Sequence, residues 1–265
     1  MPEPPAVWDE QFRTRAYEVD AGGHASPLTV CDWLQEAAGN HATALGWSVE
    51  SLAPLGLTWV LSRLHLEITR LPAWREVVSV KTWPAGTHRL YALREFAITD
   101  AAGGAVARAT SAWLLIDLGS RRPSRPPGEI SEIASRCPGR TIEDGFGRLP
   151  EPGGVDGEPQ ASFQVRWSDL DMNGHANNVR VIGWVLETAG AGLLSRRSLA
   201  ALEIDFRGES RAGEAIHGWA DSDGGDGLVH RLARAEDGRE VARAVTRWAP
   251  ARSGTAGART RLPQG

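Results

Sequence analysis

The sequence predicts an α+β protein built from two copies of one unit, each an antiparallel sheet around a long apolar helix. Three features of the chain predict it: it repeats itself, each copy runs strand, long apolar helix, several strands, and the second copy's helix is apolar on nearly every face, as suits a helix enclosed by other structure. The repeat pairs Phe12 to Gly39 with Phe163 to Gly190 at an offset of 151 residues, with identities that include Arg15/Arg166, Asp20/Asp171, Gly23/Gly174, His24/His175, Trp33/Trp184 and Glu36/Glu187. Further on the offset shortens, so that Leu64 to Ile68 pairs with Leu202 to Phe206 and Val106 to Ala109 with Val241 to Ala244. A second copy with shorter loops gives that drift. Two copies are too few for a solenoid, and the pattern fits an ancestral homodimer fused into one chain with its pseudo-two-fold pairing kept.

In the first copy, alternation predicts a strand over Phe12 to Val19 and a helix over Leu28 to Ala44. Strands at Thr58 to Ile68, Glu76 to Trp83, Tyr91 to Thr99 and Ala105 to Asp117 follow, with a hairpin turn at Asp100 to Gly104. The second copy repeats this as Phe163 to Asp169, a helix from Asn177 to about Leu193, then Ala200 to Phe206, Glu214 to Ala220, His230 to Ala235 and Val241 to Trp248. The stretch between them is rich in Pro, Gly and Arg and carries one short helix near Glu129 to Ser135. The expected organisation is therefore a first unit over 1–130, a linker over 131–160, a second unit over 161–249 and a disordered tail over 250–265.

Composition excludes several function classes. At 265 residues, 42% hydrophobic and 23% charged, the chain has the make-up of a globular protein with room for two cores. A net charge of -4 argues against wholesale nucleic-acid binding. No apolar run approaches membrane-spanning length, and Met1 to Pro5 lacks a signal peptide's basic start, so a cytoplasmic location is the expectation. Cys31 and Cys137 are too far apart for a disulfide framework or a metal cluster. The chain has no Gly-x-Ser-x-Gly elbow, phosphate-binding loop, dinucleotide fingerprint or zinc-type spacing, so neither a metal nor a cofactor is expected. Chemistry then falls to Asp, Asn, His, Glu and backbone donors.

The stretch that gathers such residues runs from Val165 to Glu187. If Asp171 to His175 is extended, alternation puts Asp171, Asn173 and His175 on one side. Asn177 and Asn178 are N-cap candidates for the apolar helix that follows, and its first N–H groups would favour a developing oxyanion. The same residues also fit plain turn and capping chemistry.

The motif Asp171-Met-Asn173-Gly-His175-Ala-Asn177-Asn178, followed by Ile182-Gly-Trp-Val-Leu-Glu187, resembles that of the acyl-acyl-carrier-protein (acyl-ACP) thioesterases of plants and bacteria. The first copy is similar to that family too, in Leu34 to His41, Thr58-Trp-Val60, Arg70 to Trp74, Ala109 to Trp113 and Arg121-Arg-Pro123, in that order. The resemblance implies two tandem hot-dog folds, the first shaping the acyl pocket and the second catalytic. It implies hydrolysis of fatty acyl-ACP to free fatty acid, with carrier protein bearing a fatty acyl-phosphopantetheine as partner, in a monomer or homodimer. Its rivals are a hot-dog acyl-CoA thioesterase and an idle acyl-binding regulator.

The resemblance also implies a catalytic glutamate, matched by Glu209; the family's frequent cysteine next to it is Ser210 here, which argues against a thiol nucleophile. Asp171, Asn173, His175 and Glu209 are thus the catalytic candidates, with the base either Asp171 or Glu209 or with Asp171 attacking directly, and Asn177 and Asn178 mark the oxyanion end. Arg121, Arg122 and Arg125 are docking candidates for an acidic carrier protein. In the first copy Gly22 stands for Asn173 and Ser26-Pro27 for the Asn pair, so Asp20 and His24 are expected to be structural. Trp47, Leu57 and Trp59 are candidates for setting chain length.

Overall fold

Helix α1 (Pro27–Ala44) begins where the sequence supplies Ser26, whose hydroxyl accepts the Thr29 N–H, and Pro27, whose missing N–H is harmless in a first turn. Helix α4 (Asn178–Glu187) begins at the equivalent place, with the Asn177 carboxamide oxygen accepting the Val179 N–H at 2.8 Å. The computed structural model from which these elements are taken describes residues 4–153 and 157–250. A continuous second helix to Leu193 is not found. Gly190, at φ 79°, turns the chain left-handed after Glu187, and a separate turn, α5 (Ala191–Leu194), follows; a further short helix, α2 (Val49–Leu52), succeeds α1.

The strands are β1 (Trp8–Arg13), β2 (Leu57–Ile68), β3 (Val77–His88), β4 (Tyr91–Asp100), β5 (Ala105–Asp117), β6 (Arg122–Ser124), β7 (Ala161–Gln164), β8 (Arg197–Phe206), β9 (Ala215–Ser222), β10 (Gly227–Arg234) and β11 (Glu240–Pro250). They form one antiparallel sheet in the order β1-β3-β4-β5-β2-β8-β11-β10-β9-β7, with β6 on β5. The two copies meet at β2 and β8, where Leu64 lies opposite Ile204, His65 opposite Glu203 and Leu66 opposite Leu202. Because Leu64 matches Leu202 and Leu66 matches Ile204 in the repeat, exchanging the copies maps this pairing onto itself. That is the signature of a pseudo-two-fold axis through the His65–Glu203 pair.

Both strands that open a copy are shorter than alternation suggests. After Arg13 and Gln164 the chain leaves the sheet into matching turns, with the Arg15 N–H on Glu18 at 2.7 Å and the Arg166 N–H on Asp169 at 2.8 Å. Alternation of the sheet turns Leu64, Leu66, Phe96, Ile98, Leu202 and Ile204 toward α1 and α4, and one buried cluster joins both copies. The repeat shows in the packing itself: Phe12 stacks on Trp33 at 5.9 Å and Phe163 on Trp184 at 6.0 Å.

The stretch expected as a surface linker is in part a cover for the sheet's outer face. After α3 (Glu129–Ala134) it buries Ile142 and Leu149, and Thr141 donates its N–H and hydroxyl to the fully buried Glu95 at 2.9 and 2.7 Å. A carboxylate at an interior position of β4 needs those donors, and the linker provides them. At the C-terminal end β11 runs to Pro250, one residue into the stretch expected as tail; residues 251–265 lie outside the described residues. Among the described residues no helix is long and apolar enough to cross a membrane.

Candidate active site

The stretch from Asp171 to His175 is a turn, not an extended segment, which corrects the alternation argument. Gly174 sits at φ 76°, and the Asp171 N–H donates to the His175 carbonyl at 2.8 Å while the Gly174 N–H donates to the Asp171 carbonyl at 3.0 Å. The Asp171 carboxylate caps the turn, with Oδ1 accepting the N–H of Asn173 at 2.8 Å and of His175 at 3.4 Å. Only a glycine takes this left-handed corner without cost. The first copy folds identically: Gly23 has φ 76°, and Asp20 Oδ1 accepts the N–H groups of Gly22 at 2.8 Å and His24 at 3.1 Å.

What the turn does with its histidine differs between the copies. His175 is half-buried, and its Nε2 lies 3.3 Å from Oε2 of Glu209. The loop bearing Glu209 is held against the motif by the Ala176 N–H, which donates to the Ser210 carbonyl at 2.8 Å; in the first copy the Ala25 N–H donates to the Pro72 carbonyl at 2.7 Å. These matched bonds place Leu71 where Glu209 stands. The first copy therefore has the turn and the imidazole without the carboxylate.

Of the remaining candidates, Asn173 is exposed, with its Nδ2 3.5 Å from Asp171 Oδ2, and Asn177 spends its carboxamide oxygen on the Val179 N–H. The Asn178 N–H, at the first helical position, has no acceptor among the described residues. Asn178 also lines a narrow cavity of about 30 Å³ between the two helices and the sheet, otherwise walled by Cys31, Leu34, Leu64, Phe96, Trp113 and Ile182 among others. Most of this wall belongs to the first copy. Trp47, Leu57 and Trp59 are not part of it; the Trp59 indole instead donates to the Trp47 carbonyl at 3.0 Å.

Ser210 is 2% exposed, and its Oγ has no hydrogen-bond partner among the described residues. The three docking candidates separate in space. Arg125 lines an open groove of about 370 Å³ with Arg89, Leu90 and Pro127, and Arg122 lies on β6 opposite Asp117. Arg121 turns the other way, its Nη2 2.9 Å from Oε2 of Glu209. Sequence reading had no means of joining those two residues, which lie 88 positions apart.

One other cluster has ligand-like spacing. His65, Asp144 and Glu203 bring one nitrogen and two carboxylate oxygens within 4.8 Å of each other on the sheet's outer face, where His65 Nδ1 already pairs with Asp144 Oδ2 at 3.0 Å. It lies at the junction of β2 and β8, away from the helix start at Asn178 and the cavity that Asn178 lines.

Comparisons with known proteins match the chain in two parts, one for each copy. The description "Acyl-ACP thioesterase N-terminal domain" matches residues 5–134, and "Acyl-ACP thioesterase C-terminal domain" matches 155–250. The chain belongs to the acyl-ACP thioesterase family. It is 32% identical to a chloroplastic palmitoyl-acyl carrier protein thioesterase of Cuphea hookeriana over 92% of this chain and 62% of that one. It is 30% identical to the chloroplastic oleoyl-acyl carrier protein thioesterase 2 of Arabidopsis thaliana, over 91% of this chain and 76% of that one. The chain thus spans about three-fifths of the first relative's length. The crystal structure of an acyl-ACP thioesterase from Bacteroides thetaiotaomicron superposes with a TM-score of 0.83 at 28% identity, over 94% of this chain and 100% of that one. The fold is accordingly a tandem hot-dog.

Proposed function

We propose that this acyl-ACP thioesterase family member hydrolyses fatty acyl-ACP thioesters to free fatty acid and holo carrier protein. The observation that carries the reading is the His175–Glu209 pair, formed in one copy only, on the loop packed against the turn that leads into α4, whose first residue Asn178 also lines the apolar cavity. A thioester carbonyl is weakly resonance-stabilised and its thiolate leaves readily, so a positioned water, a base and an oxyanion donor suffice. Glu209 Oε1, which accepts no hydrogen bond among the described residues, takes the proton as the water attacks the carbonyl carbon. The Asn178 N–H holds the oxyanion. Collapse expels the phosphopantetheine thiolate, which takes the proton back from Oε1 of Glu209 and leaves as the thiol, regenerating the carboxylate. Asp171 has the lesser claim to the base, because its Oδ1 already serves two N–H groups.

The carrier protein as partner rests on the family and on Arg122 and Arg125, exposed cations with no ion-pair partner among the described residues. A cytoplasmic setting, which rests on composition, and a monomer or homodimer, carried over from the resemblance, belong to the same proposal; the plant relatives are named chloroplastic. The test compares turnover of acyl-ACP with that of the matching acyl-CoA. Equal or better use of acyl-CoA overturns the carrier-protein assignment, and no turnover of either overturns the hydrolase.

Chain length belongs to the same cavity. Phe96→Ala and Leu64→Ala are expected to shift the released acids toward longer chains, and Trp59→Ala to leave the profile unchanged. Each added methylene gains about 0.8 kcal/mol of burial, so preference between acids two methylenes apart moves by up to roughly 10-fold. Product analysis by gas chromatography reads this directly, and an unmoved profile in both cavity variants removes the cavity from selectivity.

A further inference from the structure

From the contact between Arg121 and Glu209 we infer that Arg121, contributed by the first copy, is a positioning residue for the glutamate of the second copy, completing the catalytic set across the pseudo-dimer. This rests on the hydrolase reading above. The guanidinium Nη2 is 2.9 Å from Glu209 Oε2, and the His175 ring nitrogen is 3.3 Å from the same oxygen. Two groups on one oxygen fix the carboxylate's rotation and leave Oε1 without a hydrogen-bond donor among the described residues, which is the arrangement a water-activating base requires. Without Arg121 the carboxylate has a single contact and is free to swing about its side-chain torsions.

The backbone at Arg121 carries an independent mark. The turn from β5 to β6 is built on Asp117, whose carbonyl accepts the Arg121 N–H at 2.8 Å and whose Oδ1 accepts the Ser120 N–H at 2.7 Å. In that turn Arg121 sits at φ 58°, one of four described non-glycine residues in the left-handed region. A long side chain there is disfavoured relative to glycine. An arginine held at a corner that glycine fills better, with its guanidinium on the catalytic carboxylate of the other copy, points to the guanidinium as the reason. An exposed ion pair contributes little to stability, so the contact has little structural reason to exist.

The geometry also separates positioning from docking, since a docking arginine acts on the Michaelis constant for the carrier protein. The experiment measures kcat, KM and thermal melting for wild type, Arg121→Gly, Arg121→Lys, Glu209→Gln and the double variant, with acyl-ACP and with a small acyl-pantetheine. Arg121→Gly is expected to lower kcat roughly 10- to 100-fold on both substrates with KM nearly unchanged, while melting stays level or rises as the left-handed corner is relaxed. Arg121→Lys recovers part of kcat, because it restores the charge without the planar fork. In the Glu209→Gln background Arg121→Gly removes nothing further. A rise in KM confined to acyl-ACP with kcat intact, or full additivity with Glu209→Gln, overturns the inference and returns Arg121 to docking. Wild-type protein that leaves both thioesters intact overturns the hydrolase reading and this inference with it, whereas active wild type with equally active Arg121→Gly overturns the inference alone.

Discussion

Glu209→Gln and His175→Ala are expected to lower single-turnover hydrolysis of acyl-ACP by roughly 10²-fold or more, while His24→Ala retains most of it. The copies share the turn, the glycine corner and the histidine, so a purely structural role would make the two histidines equally sensitive. They differ in what the imidazole meets. His175 lies 3.3 Å from a carboxylate, and the place of that carboxylate in the first copy is Leu71. Asp171→Asn keeps an acceptor oxygen for the two turn N–H groups and is expected to lose less activity than Glu209→Gln; the reverse ranking would make Asp171 the base. Ser210→Ala is expected to be active and at least as stable as wild type, because it deletes a buried hydroxyl that has no partner. A dead Ser210→Ala would require a covalent hydroxyl route. Melting measured beside each rate separates lost chemistry from lost fold, and a dead His24→Ala that still melts normally would refute a one-sided site.

Much of this was legible before any coordinates. The offset of 151 residues, the two enclosed helices and the Phe/Trp pairs belong to burial and local pattern, which sequence periodicity records directly. The course of the motif itself was not legible from alternation, because five residues read equally well as strand or turn. The glycine shared by Asp20-x-x-Gly23-His24 and Asp171-x-x-Gly174-His175 was the available signal, since an aspartate followed by glycine three positions on suits a side-chain-capped turn. Glu209 was reached through the family resemblance, and its counterpart Leu71, which marks the asymmetry, follows from the matched bonds of Ala176 to Ser210 and Ala25 to Pro72. Arg121 was not, because its approach depends on a turn in the other copy and on the register between β2 and β8. The linker's cover over Glu95 was hidden for a related reason: its Pro, Gly and Arg content matches any surface loop, and only the buried carboxylate beneath shows why it packs down.

The second large effect is on stability in mild acid. His230 is fully buried between two threonines, with Nδ1 2.7 Å from Thr188 Oγ1 and Nε2 2.7 Å from Thr246 Oγ1. Thr188 gives its own proton to the Val185 carbonyl at 2.6 Å, so it accepts from Nδ1–H, and Nε2 is left to accept from the Thr246 hydroxyl. The ring fits its network only when neutral, and burial pushes its pKa down to about 4. His41 is in a similar position: burial first, then the Arg94 guanidinium 3.1 Å from its Nδ1, push its pKa down to about 4. The unfolded chain binds these two protons near pH 6.5, whereas the folded protein refuses them until about pH 4. Stability is therefore whole above pH 6.5 and falls as pH drops through that window, by about 2–3 kcal/mol for each ring at pH 4.5. Glu76, held down by its bond to Arg70, and Asp100, likewise held down by Arg70, begin from ordinary values of 4.5 and 3.8 and lose their contribution as pH falls through those values, so the loss between pH 7.5 and 5.5 reports the rings. Urea unfolding at pH 7.5, 5.5 and 4.5 is expected to show the loss in wild type, about half of it in His230→Gln, and little of it when His41 is replaced as well. A wild-type protein equally stable at pH 7.5 and 4.5 would mean that both rings are protonated in the folded state, and the neutral networks around them would be wrong.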